Sequence, residues 1–116
     1  MTDYFTEECR IHCNFKKFDS PFEAWNKNKK ELLEQTNDIL ELRDLMFSRF
    51  KMCNNFRITV ALTILEIFSP KKWLDISAGW GDRLLAAIGY GVDRYFSADP
   101  NPCLTDKYKE IINEGV

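Results

Sequence analysis

The stretch that most constrains this chain runs from Trp73 to Asn101 and, with its two leading lysines, reads KKWLDISAGWGDRLLAAIGYGVDRYFSADPN. A short β-compatible run, Trp73 to Ser77, meets a turn at Gly79-Trp80-Gly81. A helix-forming segment from Arg83 to Tyr90 is stopped by Gly89 and Gly91, and a second apolar run, Asp93 to Ala98, ends at Asp99. Four of the five glycines fall here, so the backbone turns tightly beside something polar. Strand, helix and strand in so short a span imply a right-handed parallel crossover. Asp82 stands where it either caps the helix or lies in its first turn, a position where exposed amides favour a carboxylate.

In parallel α/β sheets, ligands collect beyond the carboxyl ends of the strands, so Asp75 and Asp99 are expected to face one crevice. Gly79 and Gly81 let backbone approach a ligand with no side chain between. An acid at the end of the second strand accepts hydrogen bonds from both ribose hydroxyls, which points to a nucleoside-bearing cofactor. The dinucleotide fingerprint GxGxxG fails, because Leu84 stands where its third glycine belongs. Asp75 and Asp82, flanking the loop, are also poor neighbours for a pyrophosphate at the helix start. Both features favour a cofactor that carries positive charge.

The segment Asp75-Ile76-Ser77-Ala78-Gly79-Trp80-Gly81-Asp82, together with Tyr95 to Asn101, resembles the S-adenosylmethionine-dependent methyltransferases of the class I, Rossmann-like fold. Their loop reads acid-x-x-x-Gly-x-Gly. The resemblance covers residues 56–113 and implies that Asp75, Ser77, Ala78, Gly79 and Gly81 hold the methionine part of the cofactor. Asp99 would bind the ribose hydroxyls, with Trp80, Asp82, Pro100 and Asn101 bordering the same site; Trp80 either shields the cofactor or only packs. The sulfonium and ammonium of S-adenosylmethionine suit a loop rich in carboxylates, and the cofactor has no phosphate needing a cation.

The resemblance implies an α/β fold with a parallel, Rossmann-like βαβ unit, preceded by N-terminal helices and truncated relative to the full methyltransferase sheet. The family's sheet is several strands wider than the two signalled here, and its substrate-side motif at the fourth strand is missing. Either the chain is the N-terminal, cofactor-binding portion of an enzyme or several copies associate to cover the exposed sheet edges. In methyl transfer the cofactor supplies the electrophile and the protein positions the acceptor. No residue stands out as a catalytic base, and the methyl acceptor is unspecified, with nucleic acid among the candidates. The alternative is a binding or assembly module that keeps the fold without turnover; a fragment of an NAD-binding oxidoreductase comes third.

The remainder divides into a helical N-terminal arm, 1–55, and the partial cofactor-binding domain, 56–116. Residues 1–19 scatter Tyr4, Phe5, Phe15 and Phe18 without a clear period. Ser20-Pro21-Phe22-Glu23 then has the form of a capping box with proline at the first helical position. Trp25, Leu32, Leu33, Ile39, Leu40, Leu42, Leu45 and Met46 follow near helical spacing and read as a core face, broken at Thr36-Asn37-Asp38. Phe56 to Phe68 reads as a helix buried on most sides, ended by Ser69-Pro70, and a last helix is expected over 105–113.

The net charge of -2 gives no electrostatic case for nucleic acid or membrane. No apolar run approaches the roughly 20 residues that span a bilayer, and the first ten residues are too polar for an export signal. A soluble cytoplasmic protein is expected, and with it reduced thiols at Cys9, Cys13, Cys53 and Cys103. Cys9, His12 and Cys13 have a superficial look of metal ligands, but no second pair completes a zinc set.

Overall fold

Helices predominate in the computed structural model, which describes residues 2–14 and 16–115; Phe15, one of the scattered aromatics, lies outside them. In chain order the elements are α1 (Asp3–Ile11), α2 (Pro21–Gln35), α3 (Ile39–Arg49), α4 (Ile58–Phe68), β1 (Lys72–Asp75), α5 (Asp82–Tyr90), β2 (Arg94–Ser97) and α6 (Leu104–Gly115). They form two compact units, one of Met1–Glu7 with Asn55–Val116 and the other Glu8–Asn54. The architecture is α/β in the broad sense, with a two-stranded parallel sheet.

In the Glu8–Asn54 unit the local signals act as their chemistry requires. The Ser20 hydroxyl accepts the Glu23 N–H at 3.2 Å and the Glu23 carboxylate accepts the Ser20 N–H at 2.9 Å, the reciprocal capping box. The Asp38 carboxylate accepts the N–H groups of Leu40 and Glu41, so the break before α3 is a true N-cap. Ala24, Leu32 and Met46 form the core between α2 and α3, with Trp25, Leu42, Leu45, Phe50 and Met52 packed around it. Leu33, Ile39 and Leu40 of the expected core face are exposed.

In the other unit β1 and β2 align Trp73 with Tyr95, Leu74 with Phe96 and Asp75 with Ser97. Side chains alternate across the sheet, so Trp73 and Tyr95 share one face and Leu74 and Phe96 the other. The first face is covered: the Trp73 and Tyr95 rings meet edge-on at 5.4 Å, and Trp73 packs on the Ala61, Leu65 and Ala86 core that joins α4 to α5. The second face is bare, with Leu74 71%, Ile76 77% and Phe96 53% exposed.

The structure adds one helix to the pattern and corrects one expectation. The N-terminal residues Asp3–Ile11 are a helix, and its beginning belongs to the sheet unit. α4 is buried along one side only: Ala61 and Leu65 are inside, while Val60, Ile64, Ile67 and Phe68 are exposed. No helix among the described residues is long and apolar enough to cross a membrane.

Candidate functional site

The carboxyl ends of β1 and β2 carry the two strand-end acids, with the glycine turn between them. Past the last β1 residue the chains stay together, because Ala98 N–H donates to the Asp75 carbonyl at 3.0 Å and Ala78 N–H to the Ala98 carbonyl at 3.1 Å. This brings the 75–82 loop against the 98–101 turn. Gly79 has φ +62° and Gly81 φ +96°, left-handed conformations that glycine adopts without strain.

Asp99 holds the turn in place. One of its carboxylate oxygens accepts the Gly79 N–H at 2.9 Å and the other accepts the Asn101 N–H at 2.9 Å. A carboxylate offers about four lone-pair sites, so each oxygen keeps one in reserve. Asn101 in turn accepts the Cys103 N–H through its side chain, and Pro100 is exposed beside it.

Asp75 is more fully engaged. Arg83, reaching back from the first turn of α5, grips both of its oxygens, with Nε at 2.6 Å from one and Nη2 at 3.2 Å from the other. The same Nη2 donates to the Ser77 carbonyl, and the guanidinium lies 4.9 Å from the centre of the Phe56 ring. Tyr95 Oη donates to Asp75 at 2.7 Å and Ser77 N–H at 3.2 Å. Burial opposes ionisation of Asp75, but Arg83, Tyr95 and the Ser77 amide outweigh it and hold the carboxyl below its usual value.

Asp82 takes the first helical position of α5, one of the two alternatives raised by its place in the sequence, and Gly81 is the N-cap. Its side chain turns inward: it is 4% exposed and accepts the Thr2 hydroxyl at 2.6 Å. Thr6, one turn further along α1, donates to the Trp80 carbonyl at 3.0 Å. The glycine turn is thus held from behind by two buried threonines. From α6, Tyr108 Oη donates to the Gly79 carbonyl. Ala78 is buried, Trp80 half-buried and Ser77 exposed.

All ten expected site residues therefore lie on the loop or the adjoining turn, but not as one open set. Asp99 and the Gly79 amide face each other, Asp75 is turned into Arg83 and Tyr95, and Asp82 is inside against Thr2. Sequence reasoning missed Arg83, Tyr108, Thr2 and Thr6. Only Arg83 had a readable signal, since a base in the first turn after a loop can reach the acid before it. Among the described residues, no group of three or more metal-binding side chains occurs, and His12 packs its ring against Phe22 at 4.6 Å.

Burial, and then the negative charges around them, push the Tyr95 and Tyr108 phenols well above the usual tyrosine range. Of the four tyrosines, these two are expected to stay protonated in the folded protein when pH passes about 10, the ordinary value. A raised folded-state value stabilises the fold below the unfolded value, and that contribution is lost as pH climbs toward the folded one. Phenolate absorbance followed against pH, native and in denaturant, should show two late tyrosines that become normal on unfolding. Four normal tyrosines in the native protein would contradict the buried hydrogen bonds.

The comparisons with known proteins add no relative: no family model, no curated protein and no solved structure matches the chain.

Proposed function

We propose that this chain binds S-adenosylmethionine at the carboxyl edge of β1 and β2, as the cofactor-binding portion of a methyltransferase with a Rossmann-like fold. The observation that carries the reading is Asp99, a strand-end carboxylate fixed by the Gly79 N–H with an acceptor site left on each oxygen. Paired acceptors on one rigid carboxylate suit the two hydroxyls of a ribose. Asp75, whose acceptor sites are taken by Arg83, Tyr95 and the Ser77 amide, holds the loop in shape beside that carboxylate. When bound, the cofactor supplies an electrophilic methyl group, and the residues here orient it.

Thermal shift or calorimetry with S-adenosylmethionine, S-adenosylhomocysteine and NAD tests the assignment. Binding of the first two is expected, without NAD, and Asp99→Ala should weaken it about a hundredfold, the worth of two hydrogen bonds to a charged group. Asp99→Asn keeps an acceptor for a backbone amide and separates loss of charge from loss of the turn. No response to either sulfur cofactor in the folded wild type would remove the proposal.

The bare sheet face of Leu74, Ile76 and Phe96 favours a second reading, a binding or assembly module that keeps this fold without turnover. Light scattering on the same preparation distinguishes the two, since a concentration-dependent oligomer that ignores both cofactors is the module's signature.

A further inference from the structure

The net charge of -2 conceals a local excess of positive charge in one cleft of the Glu8–Asn54 unit. Where the chain enters α2 and leaves α3, a cavity of about 250 Å³ is lined by Lys17, Phe18 and Asp19 from the first segment and Arg49, Phe50 and Lys51 from the second. Its floor is fixed, because Ala24 is buried in the α2–α3 core and Phe50 packs on that core. Arg49 is fixed as well: Nη1 donates to Glu31 at 2.8 Å and Nη2 to Gln35 at 2.6 Å, which leaves other guanidinium donors unused. Asp19, the acid in the lining, has both oxygens on Lys27, at 2.7 and 2.8 Å. Among the described residues Lys17 and Lys51 have no ion-pair partner, and both are exposed. The α3 dipole accounts for basic residues at its end, but not for Lys17, which stands before the start of α2.

We propose that this cleft binds single-stranded nucleic acid, taking one nucleotide with its flanking phosphates on Lys17, Arg49 and Lys51 and its base stacked on Phe18. Three cations around one concavity suit phosphates, and Arg49, already held by Glu31 and Gln35, loses little side-chain freedom in meeting one. Phe18 is 46% exposed, which leaves ring surface for a base. Space narrows the class further. The cavity is smaller than the pockets that enclose drug-sized ligands, so it takes about one nucleotide and leaves the strand to run past it. A base reaches an aromatic ring only when it is out of the helical stack, which a single strand allows and a duplex does not. An acidic peptide would satisfy the cations without using Phe18. All these residues belong to the Glu8–Asn54 unit, so strand binding is independent of the cofactor assignment.

Fluorescence anisotropy of a labelled single strand of about 12 nucleotides, titrated with the full chain, tests the cleft. The single strand should bind, and the same sequence as a duplex should bind about tenfold more weakly. Lys17→Gln with Lys51→Gln should weaken binding about tenfold and flatten the slope of log affinity against log salt by about 1.4, the share of two phosphates. Phe18→Leu should weaken binding about tenfold and leave that slope unchanged. Lys29→Gln with Lys30→Gln, the same change of charge at exposed positions of α2, should alter affinity by no more than about twofold. All these positions are exposed, so the variants should stay folded. No binding by the wild type, equal binding of the duplex, or equal losses in the two lysine pairs would overturn the proposal. So would displacement of the strand by inorganic phosphate with no effect of Phe18→Leu, the mark of an anion site only.

Discussion

Replacing Asp75 with alanine should destabilise the sheet unit by about 3 kcal/mol, because it strips a partly buried guanidinium of its carboxylate partner. Asp75 is 7% exposed and also accepts from Tyr95 and the Ser77 amide, so the variant leaves a phenol and an amide unpaired as well. The large effect lies in breaking the pair, not in having it. Asp75→Leu with Arg83→Met, two apolar residues of similar bulk, should recover most of the loss. Urea denaturation of the single and double variants measures the difference. If the double variant is as unstable as Asp75→Ala, the unpaired charge is not the cause.

The same carboxylate sets an acid limit. Its folded-state value lies below the unfolded one, so its stabilisation is present above about pH 4 and disappears as pH falls through the lower folded value. Urea midpoints at neutral and at acid pH should differ by more in the wild type than in Asp75→Ala. Equal differences would mean that another group controls the acid transition.

The glycine-turn unit was legible because its signals are local. Apolar runs, two glycines able to adopt positive φ and an acid at each strand end specify β1, α5 and β2 within a residue or two of their observed limits. The capping box at Ser20 and the Asp38 cap are legible for the same reason: each is a bond between residues two or three apart. What escaped depends on distant partners. α1 has nine residues and no clear apolar stripe, and its place follows from Thr2 and Thr6, which bond to Asp82 and Trp80 across most of the chain length. Isolated helices of that size are marginal, so local propensity could not reveal it.

α4 shows a different limit. An apolar helix tells how much surface needs cover, and nothing in its periodicity says how many neighbours will supply it. Ala61 and Leu65 found partners in α5 and Trp73, while Ile64, Ile67 and Phe68 stay exposed. The site divides along the same line. That Asp75 and Asp99 end parallel strands follows from the pattern, but that Asp75 is spoken for by Arg83 follows from side-chain reach, which the pattern does not contain.

Gly81→Ala should cost about 2 to 4 kcal/mol, from two separable causes. The first is backbone: φ +96° lies where an L side chain is strained. The second is space, because an added Cβ would come within 2.6 Å of Ile111 Cδ1, the fully buried side chain by which α6 packs on the turn. Gly91, with φ +87° and nothing near its missing Cβ, isolates the first cause, and Gly91→Ala should lose only about 1 kcal/mol. Adding Ile111→Val to Gly81→Ala removes the terminal methyl and should restore part of the difference between the two alanine variants. If Gly81→Ala costs no more than Gly91→Ala, close packing does not explain this glycine, and a ligand-facing role becomes the better account of it. If it costs more and Ile111→Val relieves it, Gly81 is required by α6, and the cofactor assignment rests on Asp99 and Gly79 without it.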